Sequence, residues 1–417
     1  MSDHLIWGGC DTVGLAREYG TPLYVMDEAE LRSRCRRLSK AVKGRNARVC
    51  YAGKAFLCTA MARLIEEEGL CLDTVSLGEL YLAHKAGFPM ERVTLHGNAK
   101  TEAFLRTGLE WGAGTVVVDS EDELRRLDRL CAELGKTQKI LFRVSPGIEA
   151  HTFSAVQTAQ KDCKFGVPLA HLERAVKAAL SSPHIDLAGL HVHVGSQIHD
   201  TAAHFEAVSR LTQLLAQLRG SLGFEARELD LGGGFGIPEL PGEPGTPAEE
   251  FISQILDRVD SSCEALGLRR PEVAFEPGRW IVGEAGITLY TVQGVKEIPE
   301  VRTYVAVDGG MTDNPRPQLY QARYAVRLAN DVDRPVDRRA AIAGPCCESG
   351  DLLTADTPVP ELHVGDVLAV PLTGAYNYSM FSTYNCALRP AVVFANNGAA
   401  RAVVHRQTLE ELAAGQE

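Results

Sequence analysis

Short apolar runs alternate with longer periodic ones through the middle of the chain. The apolar runs are Arg48–Ala52, Cys71–Val75, Arg92–His96, Thr115–Val118, Lys139–Val144, Ile185–Val194, Ala226–Leu231 and Pro271–Phe275. Each reads as a buried strand. Between them lie helical patterns at Leu57–Glu67, Leu77–Ala86, Ala103–Gly108, Glu121–Leu134, Ala170–Ser181, Ala203–Leu218 and Ala248–Leu266. Eight strands alternating with helices over about 230 residues predict an α/β fold, a (β/α)8 barrel, whose usual length is ~250. An open doubly wound sheet is the competitor. It is weakened because no Gly-x-Gly-x-x-Gly follows the first strand.

The flanks read differently. Residues 1–24 are an irregular lead-in with a short helix near Asp11–Tyr19, followed by a strand, Leu23–Asp27, and a basic helix, Glu28–Lys43. After Arg279, Gly and Pro punctuate short β-rich runs: Ile287–Val295, Thr303–Asp308, Ala341–Ala343, Val367–Val370, Ala391–Phe394 and Arg401–His405. This predicts a second, all-β domain of sandwich or barrel type that also takes in the N-terminal residues. The expected division is a barrel at 25–275 and an all-β domain made of 1–24 and 276–417. Gly236–Glu249, rich in Pro, Gly and Glu, reads as a loop.

Composition narrows the function classes. The 417 residues are 45% hydrophobic and 23% charged, enough for a normal core. A net charge of −11 argues against nucleic acid or an anionic membrane as partner. There is no run of eighteen apolar residues and no charged-then-apolar start, so neither a membrane span nor a secretory signal is expected. The eleven cysteines are scattered, contain no CxxC pair and are odd in number. Buried free thiols in a reducing cytoplasm fit them best. Cys346 and Cys347 are adjacent, poor partners for each other, so one of them is a candidate for chemistry.

Barrels of this kind collect function at the C-terminal ends of their strands, with phosphate often held after strands seven and eight. The first strand leads into Lys54. A lysine buried there loses hydration, which favours the neutral, nucleophilic amine; a solvated lysine is the plain alternative. After the seventh strand comes Asp230-Leu-Gly-Gly-Gly-Phe-Gly236, and after the eighth Glu276-Pro-Gly-Arg279. Such glycines expose N–H groups to phosphate oxygens. The sixth strand ends in His191-Val-His193-Val-Gly-Ser196. Its two-residue period puts both histidines on one face. They could bind metal, but no Asp or Glu cluster accompanies them in sequence; a core histidine or an imidazole laid on a planar cofactor are the other readings. Ser196 can add a hydroxyl to a phosphate. A carboxylate at Glu276 needs a partner, and the protonated ring nitrogen of pyridoxal phosphate is one.

The second domain carries three dense clusters: Asp308–Tyr320, Gly344–Asp351 and Gly374–Ser379. Arg279 and Arg316 are candidate carboxylate clamps, with surface ion pairs as the alternative.

These motifs resemble the pyridoxal-phosphate family that includes ornithine and arginine decarboxylases and alanine racemase, and most closely its diaminopimelate decarboxylase branch. The resemblance runs nearly end to end. It rests on Tyr51-Ala-Gly-Lys-Ala55, Glu68–Glu79, His96-Gly-Asn98, Lys164-Phe-Gly166, His191–Ile198, Gly232–Gly236, Glu276–Arg279, Asp308–Tyr320, Cys347–Asp351 and Gly374-Ala-Tyr376. What it implies is a carboxy-lyase that takes meso-2,6-diaminopimelate to L-lysine and CO2, the last step of bacterial lysine biosynthesis. Lys54 is then the residue joined to pyridoxal phosphate. His193 stacks on the ring and Glu276 pairs with its nitrogen. Ser196, Gly233, Gly234, Gly278 and Arg279 hold the phosphate, with Tyr376 beside it. Arg279, Arg316 and Tyr320 grip the far carboxylate, Glu348 takes the ammonium there, and Tyr376 also borders the substrate. Cys347 is the proton donor, supplied by the second subunit of a homodimer. The resemblance implies a cytoplasmic enzyme with no metal.

The chain departs from that pattern at Ala155–Ala159, a loop that approaches substrate in the family, and at Ser382 and Leu388. Two alternatives therefore stand: a decarboxylase of a D-amino acid or a carrier-bound glutamyl group, and a pyridoxal-phosphate-binding protein without turnover.

Overall fold

The computed structural model describes residues 3–145, 147 and 163–416. They form two compact units, one of residues 35–236 and 245–278, the other of residues 1–34, 237–244 and 279–417.

The first unit is a closed barrel of eight parallel strands. We number them β1 (Ala47–Ala52), β2 (Cys71–Thr74), β3 (Val93–Leu95), β4 (Thr115–Val118), β5 (Gln138–Arg143), β6 (Ile185–His191), β7 (Glu228–Asp230) and β8 (Glu272–Phe275). All eight predicted strands are present within a few residues of their expected ends. β8 closes on β1 through Val273↔Ala47 and Phe275↔Val49.

Local sequence sets the helices between them. Ser76, Thr101 and Ser120 each accept a hydrogen bond from the backbone N–H three residues on, at 3.2 Å, and start the helices Leu77–Ala86, Glu102–Trp111 and Glu121–Leu134. Each such cap is worth about 1 kcal/mol. Gly87, Gly112 and Gly135 end the same helices in the left-handed conformation that glycine adopts without steric cost. Charged residues join the opening residues of the strands: Lys139 in β5 and Arg48 in β1 both pair with Glu228, Lys139 at 2.9 Å, and Arg48 pairs with Glu272 at 2.8 Å. The strand starts thus carry a stabilising ion network, which leaves the C-terminal ends for chemistry.

The second unit is built on the long strand Gly286–Ile298. Its first half pairs antiparallel with Leu23–Asp27 on one side and Val367–Pro371 on the other. Past an irregularity between Val292 and Gly294 it pairs with Arg302–Val307. Alternation splits its side chains between two cores. Ile287 and Leu289 join Leu23, Val25 and Val393 in one; Tyr290 and Val292 join Val305, Val307 and Val370 in the other.

Two differences from the sequence reading concern boundaries. A barrel beginning at residue 25 would cut Leu23–Asp27, whose partners are Gly286–Leu289 and Ala391–Ala395 in the second unit. The run resembles another barrel strand because a helix follows it; only pairing with residues far along the chain decides its sheet. That helix, Glu28–Val42, spans the division between the units, and residues 237–244 of the Pro-Gly loop belong to the second one. The second unit is also not purely β, since it holds the helices Thr12–Tyr19, Arg316–Tyr320 and Leu409–Ala413. The strand Leu352–Pro360 escaped prediction because its centre is polar and two prolines close it. It is an edge strand, where a missing N–H is tolerated.

Candidate active site

At the C-terminal ends of the barrel strands, buried polar groups converge. β2 contributes Asp73, β3 leads to His96, β6 ends in His191, β7 in Asp230, and β8 leads to Glu276; all five are buried. His96 Nε2 lies 2.9 Å from Glu276 Oε1 and 3.7 Å from Asp73 Oδ1. His191 Nε2 lies 3.3 Å from Glu276 Oε2. The two imidazoles meet edge to face with centroids 5.1 Å apart.

Their electrostatics sort the charges. Burial alone would raise Glu276, but His96 and His191 outweigh it and hold its carboxyl well below the usual range. Burial works against a charged His96 too, yet Glu276 and Asp73 carry it up to about 10. Burial pushes His191 down to about 4, so it is neutral near pH 7. Burial, then repulsion from Glu276, raises Asp73 to about 6 and Asp230 much further. One ionised glutamate therefore faces one protonated histidine. Donor atoms of His96, His191 and Glu276 all lie within 4.8 Å of one another, a spacing a metal ion could use. The same carboxylate, held ionised, can equally accept a hydrogen bond from an organic cation such as a protonated ring nitrogen.

His193 and the glycine turn complete this rim. Gly233 N–H donates to His193 Nδ1 at 3.3 Å, which leaves the ring proton on Nε2. Burial, then the nearby Lys54 charge, pushes His193 well down and keeps it neutral. The turn tolerates no side chain: an added Cβ on Gly233 would lie 2.0 Å from Glu276 O, and one on Gly234 2.5 Å from Gly195 O. The N–H groups of Gly234 and Gly278 meet no acceptor among the described residues. Ser196 lies half-buried just past His193.

Lys54 sits in the one-turn 3-10 helix Gly53–Ala55, just past β1. It is exposed, which corrects the expectation of a lysine stripped of water by its pocket. Its charge is felt by Asp73, Glu79 and His193, so it belongs to this rim.

In the second unit Arg279, Arg316, Tyr320 and Tyr376 come together. The guanidinium carbons of Arg279 and Arg316 lie 4.7 and 5.9 Å from the Tyr376 ring centroid, and Arg316 also covers Tyr320 at 5.3 Å. Burial, and then the Arg316 charge, lowers Arg279's hold on its proton. Tyr376 is held at φ 60°, a conformation rare for a bulky residue. Cys347 and Glu348 are exposed; Cys347 N–H donates to Asn385 Oδ1 at 3.1 Å. The aspartates of the predicted clusters shape turns: Asp351 accepts from Met311 N–H and Cys346 N–H, and Asp313 from Gly310 N–H, at 2.7–2.8 Å. The adjacent Cys346 is half-buried, and burial raises its thiol to about 11. Of the eleven cysteines, all free, Cys347 and Cys386 are exposed rather than buried as expected.

Comparison with known proteins matches this arrangement to one family. Residues 28–283 match the family described as pyridoxal-dependent decarboxylase, pyridoxal binding domain. Diaminopimelate decarboxylase of Bacillus subtilis (strain 168) is 48% identical over 413 residues, 98% of this chain and 94% of that protein. The Mycobacterium tuberculosis (strain ATCC 25618 / H37Rv) enzyme of the same name is 45% identical over 97% of this chain and 93% of its own. The crystal structure of diaminopimelate decarboxylase from M. jannaschii in co-complex with L-lysine superposes with a TM-score of 0.90 at 31% identity, covering 100% of this chain and 99% of that one. The chain belongs to the diaminopimelate decarboxylase family.

The cofactor of these decarboxylases, pyridoxal phosphate, fits the barrel rim. Glu276 Oε1 is buried and makes no aligned hydrogen bond, so it can accept one from a ring N–H. The Gly232–Gly234 turn has neither room for a Cβ nor side chains of its own, as close approach by a phosphate requires.

Three members of this decarboxylase rim were missed as site residues in the sequence: Asp73, His96 and Asp230. Asp73 and Asp230 supply the acidic groups that seemed to be lacking around the histidines, from other strands of the barrel. Their signal was position, since each lies at a strand's C-terminal end. His204 was missed too. It is buried on the helix Ala202–Leu222, stacks on Phe235 and contacts Gly233 O at 3.0 Å, so it fixes the glycine turn from behind. The Ala155–Ala159 departure lies outside the described residues.

Proposed function

We propose that this chain decarboxylates meso-2,6-diaminopimelate to L-lysine and CO2 with pyridoxal phosphate as cofactor. Membership of the family supports the reaction class. The observation that supports this substrate is the pair Arg279 and Arg316 gathered on one tyrosine, a receptor for a second, non-reacting carboxylate.

When bound, pyridoxal phosphate supplies the electron sink for the pair left by the departing carboxylate. The chain's residues do the rest. Lys54 supplies the amine that tethers the cofactor. His193, neutral, offers a flat apolar face to its ring. Glu276, ionised, accepts the ring N–H. Ser196 and the backbone of Gly233, Gly234, Gly278 and Arg279 take the phosphate, with Tyr376 beside them. Arg279, Arg316 and Tyr320 bind the far carboxylate, Tyr376 borders the substrate, and Glu348 binds the far ammonium. Because Arg279 and Arg316 repel each other, an anion relieves them both, and a substrate without that carboxylate leaves them facing each other. Cys347 returns the proton to the carbon, and a second copy of the chain supplies it, which makes the working form a homodimer with shared sites. No helix among the described residues is long and apolar enough to cross a membrane. We place the enzyme in the cytoplasm, where the scattered free thiols stay reduced.

The test is direct. Purified chain is given meso-diaminopimelate with and without added pyridoxal phosphate, and lysine and CO2 are measured. Equal amounts of both, dependent on cofactor, are expected. Cofactor-loaded protein that releases CO2 only from a D-amino acid or a carrier-bound glutamyl group overturns the substrate; loaded protein that turns over none of them overturns the activity.

A further inference from the structure

Glu276 serves as an acceptor only while it stays ionised. A carboxylate this deep, only 8% exposed, would by burial alone take up a proton. A neutral acid would donate a hydrogen bond to the cofactor's ring nitrogen instead of accepting one, and the ring would lose the positive charge that makes it an electron sink.

Among the described residues, the groups that act on Glu276 can be named. His96 from the end of β3 and His191 from β6 touch its two oxygens at 2.9 and 3.3 Å. Asp73 and Asp230 add repulsion from β2 and β7. Arg143 from β5 bears on it more remotely, and so does His193; the Lys54 charge falls on Asp73 and His193. Of the two contacts, burial keeps His191 neutral, whereas His96 stands between two carboxylates, Glu276 at 2.9 Å and Asp73 at 3.7 Å. Two acids sharing one imidazole make it a cation whether or not any ligand is present.

We propose that His96, braced by Asp73, is a positioning residue: it is the built-in counter-charge that holds Glu276 ionised and aimed before the cofactor binds. This rests on the reading of the rim as a pyridoxal phosphate site. It adds that the acceptor state of Glu276 is set by the protein's own strand ends and not by the cofactor. Burial, then Glu276, holds the Asp230 carboxyl well above the usual carboxylate range, and it accepts the Gly232 N–H at 2.9 Å.

The experiment begins with cofactor-free protein carrying 13C-labelled glutamate carboxyls, in which the Glu276 signal is identified by its loss in Glu276→Gln. In the wild type that signal is expected to stay ionised from pH 5 to 9. In His96→Gln it is expected to titrate inside that window. Asp73→Asn, which keeps the histidine, is expected to lower the midpoint of the His96 ring protons and serves if His96→Gln does not fold. A Glu276 signal unchanged in His96→Gln, or a His96 midpoint unmoved in Asp73→Asn, overturns the proposal. With ring-15N pyridoxal phosphate added, the wild type is expected to show a protonated ring nitrogen. His96→Gln is expected to show an unprotonated one, with kcat down at least tenfold and KM within about twofold. A ring that stays protonated in His96→Gln likewise overturns it. Wild-type protein that takes up no cofactor sinks the functional reading instead, while the glutamate titration still decides the counter-charge.

Discussion

Arg279 and Arg316 approach the same Tyr376 ring, with guanidinium carbons 4.7 and 5.9 Å from its centroid. Two cations gathered at one aromatic ring repel each other, and the charge of Arg316 is a cause of Arg279's weakened hold on its proton, second only to burial. Arg316 is the better probe. It is half-buried, and its tie to Tyr324 Oη at 3.1 Å leaves most of its donors for a ligand. A charge-assisted hydrogen bond contributes about 1.5–3 kcal/mol. Arg316→Ala is expected to raise KM for diaminopimelate by roughly ten- to a hundredfold, with a smaller effect on kcat. Steady-state kinetics check this, and an unchanged KM removes Arg316 from the carboxylate clamp.

The glycine turn after β7 gives a second, sharper contrast. A methyl group on Gly233 would press on the Glu276 carbonyl, which belongs to rigid backbone. Gly233→Ala is expected to weaken pyridoxal phosphate binding at least tenfold and to lower Tm. Gly220 lies inside the helix Ala202–Leu222, and an added Cβ there meets nothing within 4 Å. Gly220→Ala is expected to raise stability by about 0.5–1 kcal/mol through helix propensity alone. Cofactor titration by absorbance and thermal melts separate the two; equal behaviour in both would mean the turn after β7 is not a tight cradle.

These contrasts show what the sequence carried and what it did not. The barrel strands were legible because burial on both faces writes itself as continuous apolar runs, and helices capped by Ser or Thr and closed by Gly repeat between them. Glu276 and the glycines stood out because they sit directly after such runs. His96 did not, because its partners Asp73 and Glu276 lie on strands that meet only when the barrel closes. The expected boundary at residue 25 cuts Leu23–Asp27 for the same reason: a strand's own residues say that it is buried, not which sheet it joins. The exposure of Lys54 was hidden differently. Placement at a strand end is local information, while burial depends on everything packed above it.

Away from the chemistry, Lys100 and Glu123 form an ion pair inside the barrel unit. Lys100 Nζ donates to Glu123 Oε1 at 2.6 Å and to the carbonyls of Gly97 and Val117 at 2.7 Å. Burial lowers the lysine and raises the glutamate, and each partner opposes the shift of the other. Removing one partner strands a buried charge, at a cost of about 3–5 kcal/mol. Lys100→Met is expected to lose that much in denaturant unfolding. Lys100→Met combined with Glu123→Leu is expected to recover part of it. A double variant no better than the single one would mean that the packing of the lysine stem, and not its charge, is what matters.

Cys347 carries the last prediction, because its exposure is otherwise hard to reconcile with proton transfer. It lies on the surface beside Glu348, with its backbone N–H tied down by Asn385. A proton donor open to water is a poor one unless another surface covers it. If a second copy supplies that surface, each site needs Lys54 from one chain and Cys347 from the other. Lys54→Ala and Cys347→Ala should then each be nearly inactive alone, Lys54→Ala through lost cofactor attachment and Cys347→Ala through lower kcat with little change in KM. Exchanged at equal concentration, they should regain activity. Random pairing makes half the dimers mixed, and each mixed dimer holds one intact site of two, so about a quarter of wild-type activity is expected from a two-fold dimer. Recovery near that level, dependent on time and on dilution, places the donor on the opposite subunit. Absence of recovery, with mixed dimers verified by mass, places Lys54 and Cys347 of each site on one chain.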